Sequence, residues 1–179
     1  MQALHFKRES STVQQTLADL AYNFSQFELV HFVEHVAQHR NKPIRLIPYP
    51  FTESIFGVWV PATYHDYIFY TMRVHHVHQV HIVLHEIAHM LLNHHRRRID
   101  DVLPPELLLQ FNSAELVGRL RVPPTKAVHD DEEEQESELF VLLIQRQLVK
   151  ARRLTELTRE SSSIPTLKPI TDTMGYTSE

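Results

Sequence analysis

One α+β domain is the fold class this sequence predicts, and three observations predict it. Apolar residues recur at three- and four-residue steps between Ser11 and Arg40, three short runs of β-branched and aromatic residues follow between Lys42 and Thr71, and helical spacing returns from about His75. At 179 residues with 42% hydrophobic content, the chain is long enough to bury one core and short for two. No internal repeat is visible, which excludes a repeat array. The expected organisation is a flexible start over 1–11, a single domain over 12–158 and a disordered tail over 159–179, where Ser, Thr and Pro leave little to bury.

The opening helices take their apolar stripe from Leu17, Leu20, Phe24, Phe27, Val30, Phe32, Val33 and Val36. Lys42 to Pro48, Phe56 to Pro61 and Asp66 to Thr71 then read as strands of a small, mostly antiparallel three-strand sheet. Prolines at 48, 50 and 61 suit strand ends or edges, because proline cannot donate to a ladder. The helix beginning near His75 runs through Met90-Leu91-Leu92 to a polar stop at Asn93 to Arg98, where cations meet the negative end of its dipole. Pro104-Pro105-Glu106 marks a fresh start, with helix expected over Leu107 to Leu120 before Pro123-Pro124 ends it. A last helix opens at Asp130-Asp131 with acids in its first turn and continues to about Arg153.

Composition narrows the function classes. Lys plus Arg at 18 against Asp plus Glu at 22 gives a net charge of −4, so no global basic field draws in nucleic acid or anionic lipid. Cysteine is absent, leaving histidine and carboxylate as the transition-metal ligands. No run has the length of a signal peptide or a bilayer span, so a soluble cytoplasmic protein is the expectation, with no direct nucleic-acid or membrane partner.

His85-Glu86-Ile87-Ala88-His89 carries the chemistry. Imidazoles four residues apart share one helix face and can grip a single zinc ion, while the glutamate between them stands beside that metal as a general base. Although 14 histidines make a chance match conceivable, Ile82, Val83, Ile87, Ala88, Leu91 and Leu92 set the motif in an apolar face. Histidines buried there are costly without a coordinating or hydrogen-bonding partner. A catalytic zinc takes three protein ligands and keeps one open position, so a third ligand is required from another element. The acidic helix offers Glu133, Glu134 and Glu136. A helical wheel puts Glu133 and Glu136 nearer the apolar stripe of Phe140, Val141, Leu143, Ile144 and Leu148 than Glu134.

The stretch from His85 to His94, His-Glu-Ile-Ala-His-Met-Leu-Leu-Asn-His, together with that acidic helix, resembles the ImmA/IrrE-type metallopeptidases, zinc proteases of the gluzincin kind. The resemblance covers roughly Phe27 to Arg146 and implies a zincin-like fold with the HExxH segment on its active-site helix. In such proteins the last helix carries a ligand glutamate, an acid or amide four residues on, and a Phe two further before a small residue. That register implies Glu134 as the metal ligand, Glu138 as its companion and Phe140 as the packing aromatic. Nearness to the apolar stripe keeps Glu136 and then Glu133 as fallback ligands. Val141 departs from the usual Ala. The resemblance further implies one Zn2+ per chain and a protein substrate, a helix-turn-helix repressor cleaved upon a signal.

Other residues have less specific roles. His78 and His81 lie on roughly the same face as His85 and are expected to line the cleft, cap the helix start or face solvent, His94 to be structural, and Arg96 to Arg98 to be a solvated helix end. Tyr64, Tyr67, His81 and His94 are the candidate oxyanion donors, and Asp66 to Thr71 is the expected edge strand for an extended substrate. A His and carboxylate set also accepts manganese or iron. Two other function classes compete with the peptidase: a zinc-binding regulatory or toxin-antitoxin partner that does not cleave, and a DNA-binding regulator. The last is disfavoured by acidic charge and by the roughly 40 residues that precede the first strand, too few for an added helix-turn-helix domain.

Overall fold

The computed structural model describes residues 2–51, 55–94, 97–98, 117–120 and 131–162. Helix α1 (Gln2–Leu20) and a short 3-10 turn (Phe24–Gln26) lead into α2 (Leu29–Arg40), and strands β1 (Ile44–Tyr49), β2 (Gly57–Pro61) and β3 (Asp66–Thr71) follow. Helix α3 (His76–Leu91), the short strands β4 (Arg97–Arg98) and β5 (Val117–Leu120), and helix α4 (Asp131–Ser162) complete the order.

Helix α1 starts ahead of residue 12, the expected boundary, since no glycine or proline interrupts the chain before Leu20. Helix α2 ends where Asn41 takes a left-handed conformation and its N–H reaches back to the carbonyls of Ala37 and Gln38. Its inner face buries Phe32, Val33 and Val36, whereas Val30 points outward at 59% exposure despite belonging to the expected stripe. Tyr22, Phe24, Phe27 and Phe32 pack ring against ring at the turn between α1 and α2. Helix α4 continues beyond the expected end at Arg153, and residues 163–179 lie outside those described.

The sheet runs β1-β3-β2-β5-β4. Three of its strands pair in mixed fashion: β1 pairs with β3 in parallel, from Ile44↔Asp66 to Tyr49↔Thr71, and β2 pairs with β3 in antiparallel fashion, from Gly57↔Tyr70 to Pro61↔Asp66. The parallel β1–β3 pair and the added β5 and β4 depart from the expected three-strand sheet, while three of the four ladders among the described residues are antiparallel as expected. The β2–β3 hairpin places β3 between β1 and β2, and an edge strand reached by a crossover can run either way. Pro48 accordingly sits on the edge strand β1. Strand β5 pairs with β2 at Val58↔Leu120 and Trp59↔Arg119, so the end of the segment expected as helix over Leu107 to Leu120 is extended. The rest of that segment and Pro123-Pro124 lie outside the described residues.

The pleat separates two apolar clusters. Ile44, Leu46, Trp59, Ile68 and Tyr70 face the helices and join the main core, while Ile47, Tyr49, Val58, Val60, Tyr67 and Phe69 gather with Phe51 on the opposite face. Helix α3 packs against β2 and β3 on one side and α4 on the other. Every residue from Ile82 to Met90 is therefore buried, as a helix enclosed on both sides requires.

At the far end of α3, Asp66 is wholly buried and meets Arg40 at 2.9 Å and Lys42 at 2.7 Å. Arg40 also donates to the Met90 carbonyl at 3.0 Å, tying the ends of α2 and α3 to the start of β3.

Candidate metal centre

Three histidines of α3, His81, His85 and His89, recur every fourth residue, and Glu134 and Glu138 do the same on α4. The helices run antiparallel, so Glu134 meets His85 and His89 while Glu138 meets His81 and His85. Glu134 Oε2 lies 3.4 Å from His85 Nε2, and its Oε1 lies 3.5 Å from His89 Nε2. These three residues offer ligand atoms that all fall within 4.8 Å of one another. Four ligands held at about 2.0–2.2 Å around a tetrahedral ion stand about 3.3–3.6 Å apart, the range of both contacts to Glu134. His85, His89 and Glu134 therefore fit a divalent ion.

Both imidazoles are buried, whereas Glu134 is 41% exposed and Glu138 48%, so solvent approaches from the α4 side. Beside them lies a groove of about 490 Å3 lined by His81, Glu134, Glu138, Leu139, Leu142 and Gln145. A second space of about 520 Å3 adjoins it past His81 and Gln145, with Phe56, Val74, Val77 and Ile82 as apolar walls.

Glu86 turns toward the sheet. Its carboxylate is wholly buried, and Oε2 accepts a hydrogen bond from the Trp59 amide of β2 at 3.0 Å. Strand β2 comes this close because residue 57 is glycine: a Cβ there would lie 2.5 Å from Ile82 Cγ2 and 3.0 Å from Glu86 Oε1. Neither Gly57 nor the Trp59 amide figured among the expected site residues. A glycine inside a strand pattern is the available signal, since it often marks close backbone approach.

Some expected residues fall elsewhere. Glu136 points away from the centre, its Oε2 2.9 Å from His94 Nε2, and Glu133 contributes a carbonyl that accepts from Ser137 Oγ at 2.9 Å. Neither fallback ligand belongs to the three-residue cluster; for Glu136, nearness to the apolar stripe carries the side chain toward His94 and not into the cleft. Tyr67 stacks on Phe69 across the sheet from α3, Tyr64 is 80% exposed, and His94 is buried behind His89. Of the four candidate oxyanion donors, His81 remains at the groove. Glu138 approaches the same Nε2 atom of His85 that faces Glu134, at 3.5 Å, and also His81 Nε2 at 3.4 Å. Strand β3, expected at an edge to receive substrate, is paired on both sides.

No helix among the described residues is long and apolar enough to cross a membrane. Compared with known proteins, the chain matches no family model, no curated protein and no solved structure.

Proposed function

We propose that this chain is a zinc-dependent endopeptidase of zincin-like fold, with His85, His89 and Glu134 as metal ligands and Glu86 as general base. The observation that carries the reading is the meeting of two imidazoles from α3 with one α4 carboxylate at the spacing of ligands around a shared ion. When bound, the metal supplies a water of lowered pKa and a Lewis acid for the scissile carbonyl. With a metal in place, Glu86 would serve as the base that takes up a proton and returns it to the departing amine, while the Trp59 amide holds Oε2 and keeps the carboxylate in one orientation. The substrate enters along the groove beside His81 and Leu142, whose apolar extension suits a polypeptide side chain.

The resemblance to ImmA/IrrE-type metallopeptidases leads us to place the substrate among helix-turn-helix repressors and the reaction in the cytoplasm. The test incubates the purified protein with a repressor encoded beside it and looks for a discrete fragment that a chelator prevents. Absence of any fragment under inducing and non-inducing conditions contradicts cleavage.

A second reading has an observation of its own. Glu138 stands 3.5 Å from His85 Nε2, so a fourth protein ligand is at hand, and a site closed by four protein ligands is structural. In that case the protein grips its partner without cutting it. Glu138→Gln separates the two: a closed site loses metal with this change, whereas a three-ligand site retains it.

A further inference from the structure

We propose that His94, braced by Glu136, is a positioning residue that sets the tautomer of His89 and thereby the metal affinity of the centre; this rests on the metal-centre reading above. The two rings meet through their Nδ1 atoms at 2.8 Å, and His94 Nε2 faces Glu136 Oε2 at 2.9 Å. A neutral imidazole carries one N–H, so across the Nδ1 pair one ring donates and the other accepts. An ionised carboxylate only accepts, which requires the proton of His94 to sit on Nε2. His94 Nδ1 is then the acceptor, His89 Nδ1 carries the hydrogen, and the lone pair of His89 is left on Nε2. That is the atom facing Glu134 at 3.5 Å.

A second contact leans the same way. Ser137 Oγ donates to the Glu133 carbonyl at 2.9 Å, so it presents lone pairs to both Nδ1 atoms, nearer to His89 at 3.1 Å than to His94 at 3.4 Å, which places the hydrogen on His89. Reversing the tautomers would set two acceptors against each other at 2.9 Å between His94 and Glu136. The backbone builds the arrangement: α3 is capped at Leu92, Asn93 takes a left-handed conformation, and the His94 N–H bonds back to the His89 carbonyl at 3.1 Å. His94 is thus folded over the ring it orients, and α4 supplies Glu136 and Ser137 from the side.

Partners behind a metal-binding histidine raise its basicity and fix its ring, and their removal weakens metal binding by about 10–100-fold. The experiment measures zinc affinity of the full chain by chelator competition for the wild type, His94→Ala, His94→Asn and Glu136→Gln. Thermal unfolding of each apo form serves as the folding control. The expected result is a loss of about 10–100-fold in His94→Ala at unchanged apo unfolding, a lesser loss in Glu136→Gln, and partial rescue in His94→Asn, whose amide oxygen can accept from His89 Nδ1–H. Zinc bound as tightly by His94→Ala as by the wild type overturns the relay alone. Failure of the wild type to take up zinc overturns the centre and the relay with it. Nitrogen-15 histidine spectra of the apo wild type give a readout that needs no variant to fold. Hydrogen on Nδ1 of His89 and on Nε2 of His94 supports the proposal, and the reverse pattern overturns it.

Discussion

Asp66 and the His85-His89-Glu134 cluster are polar assemblies joined to the same helix, yet their distances differ in kind. Around Asp66 the partners of opposite charge touch, at 2.7 and 2.9 Å, and Arg40 spends a further N–H on the Met90 carbonyl. Around Glu134 the nearest imidazole nitrogens stand back at 3.4 and 3.5 Å, beyond a strong charge-assisted hydrogen bond and at the separation of ligands around an ion. One assembly is complete with protein atoms; the other fits a cation between its members. The first ties α2, α3 and β3 together, and the second is where the proposed chemistry would take place.

The contrast yields four predictions. The largest effect belongs to Glu86→Gln, which is expected to lower cleavage by about 10²–10⁴-fold while zinc content stays that of the wild type, measured by peptide turnover alongside metal analysis. Unchanged turnover with metal retained removes Glu86 as the base. Next is Asp66→Ala, which leaves two cations facing an emptied site and is expected to lower folding stability by about 3 kcal/mol, less than for a fully enclosed pair because Arg40 and Lys42 reach water. Urea unfolding with and without zinc checks it: a loss that depends on metal would show that the two assemblies are not separate.

Gly57→Ala tests the link between strand and base. Overpacking against Ile82 is expected to cost about 1–3 kcal/mol and to displace Glu86 from the Trp59 amide, so turnover falls further than stability explains. Normal turnover in a well-folded variant would separate β2 from the role proposed for the Glu86 carboxylate. The smallest effect is expected for Lys42→Ala, below about 1 kcal/mol, since Arg40 still covers Asp66 and Lys42 is partly solvated. A larger loss, read from the same unfolding curves, would assign Lys42 the main share of the clamp.

Much of this arrangement was legible in the chain. Period-two and period-four patterning located β1, β2, β3 and both helices of the centre, and fourfold spacing put His85 and His89 on one face. Ladder direction was not legible, because the alternation in Ile44 to Tyr49 records which face is buried and not which neighbour lies alongside. The same limit hid the far-side position of Tyr67: alternation separates Tyr67 from Ile68 without saying which of them meets a helix. Strand β5 escaped notice because Val117 to Leu120 is too short to show a period, and its conformation comes from pairing with β2. Burial misled at Glu136, where a core-directed carboxylate reaches His94 and not the cleft. His94 itself needed the left-handed turn at Asn93, a feature of the folded backbone, to come back over His89.

Equilibrium dialysis against zinc tests the central claim most directly, run on the wild type beside His85→Ala and Glu134→Ala. Convergence of α3 and α4 on one ion predicts about one zinc per wild-type chain and loss of it in both variants. Full zinc retention in a folded Glu134→Ala protein would contradict it, because the helix pair would then not close the coordination shell.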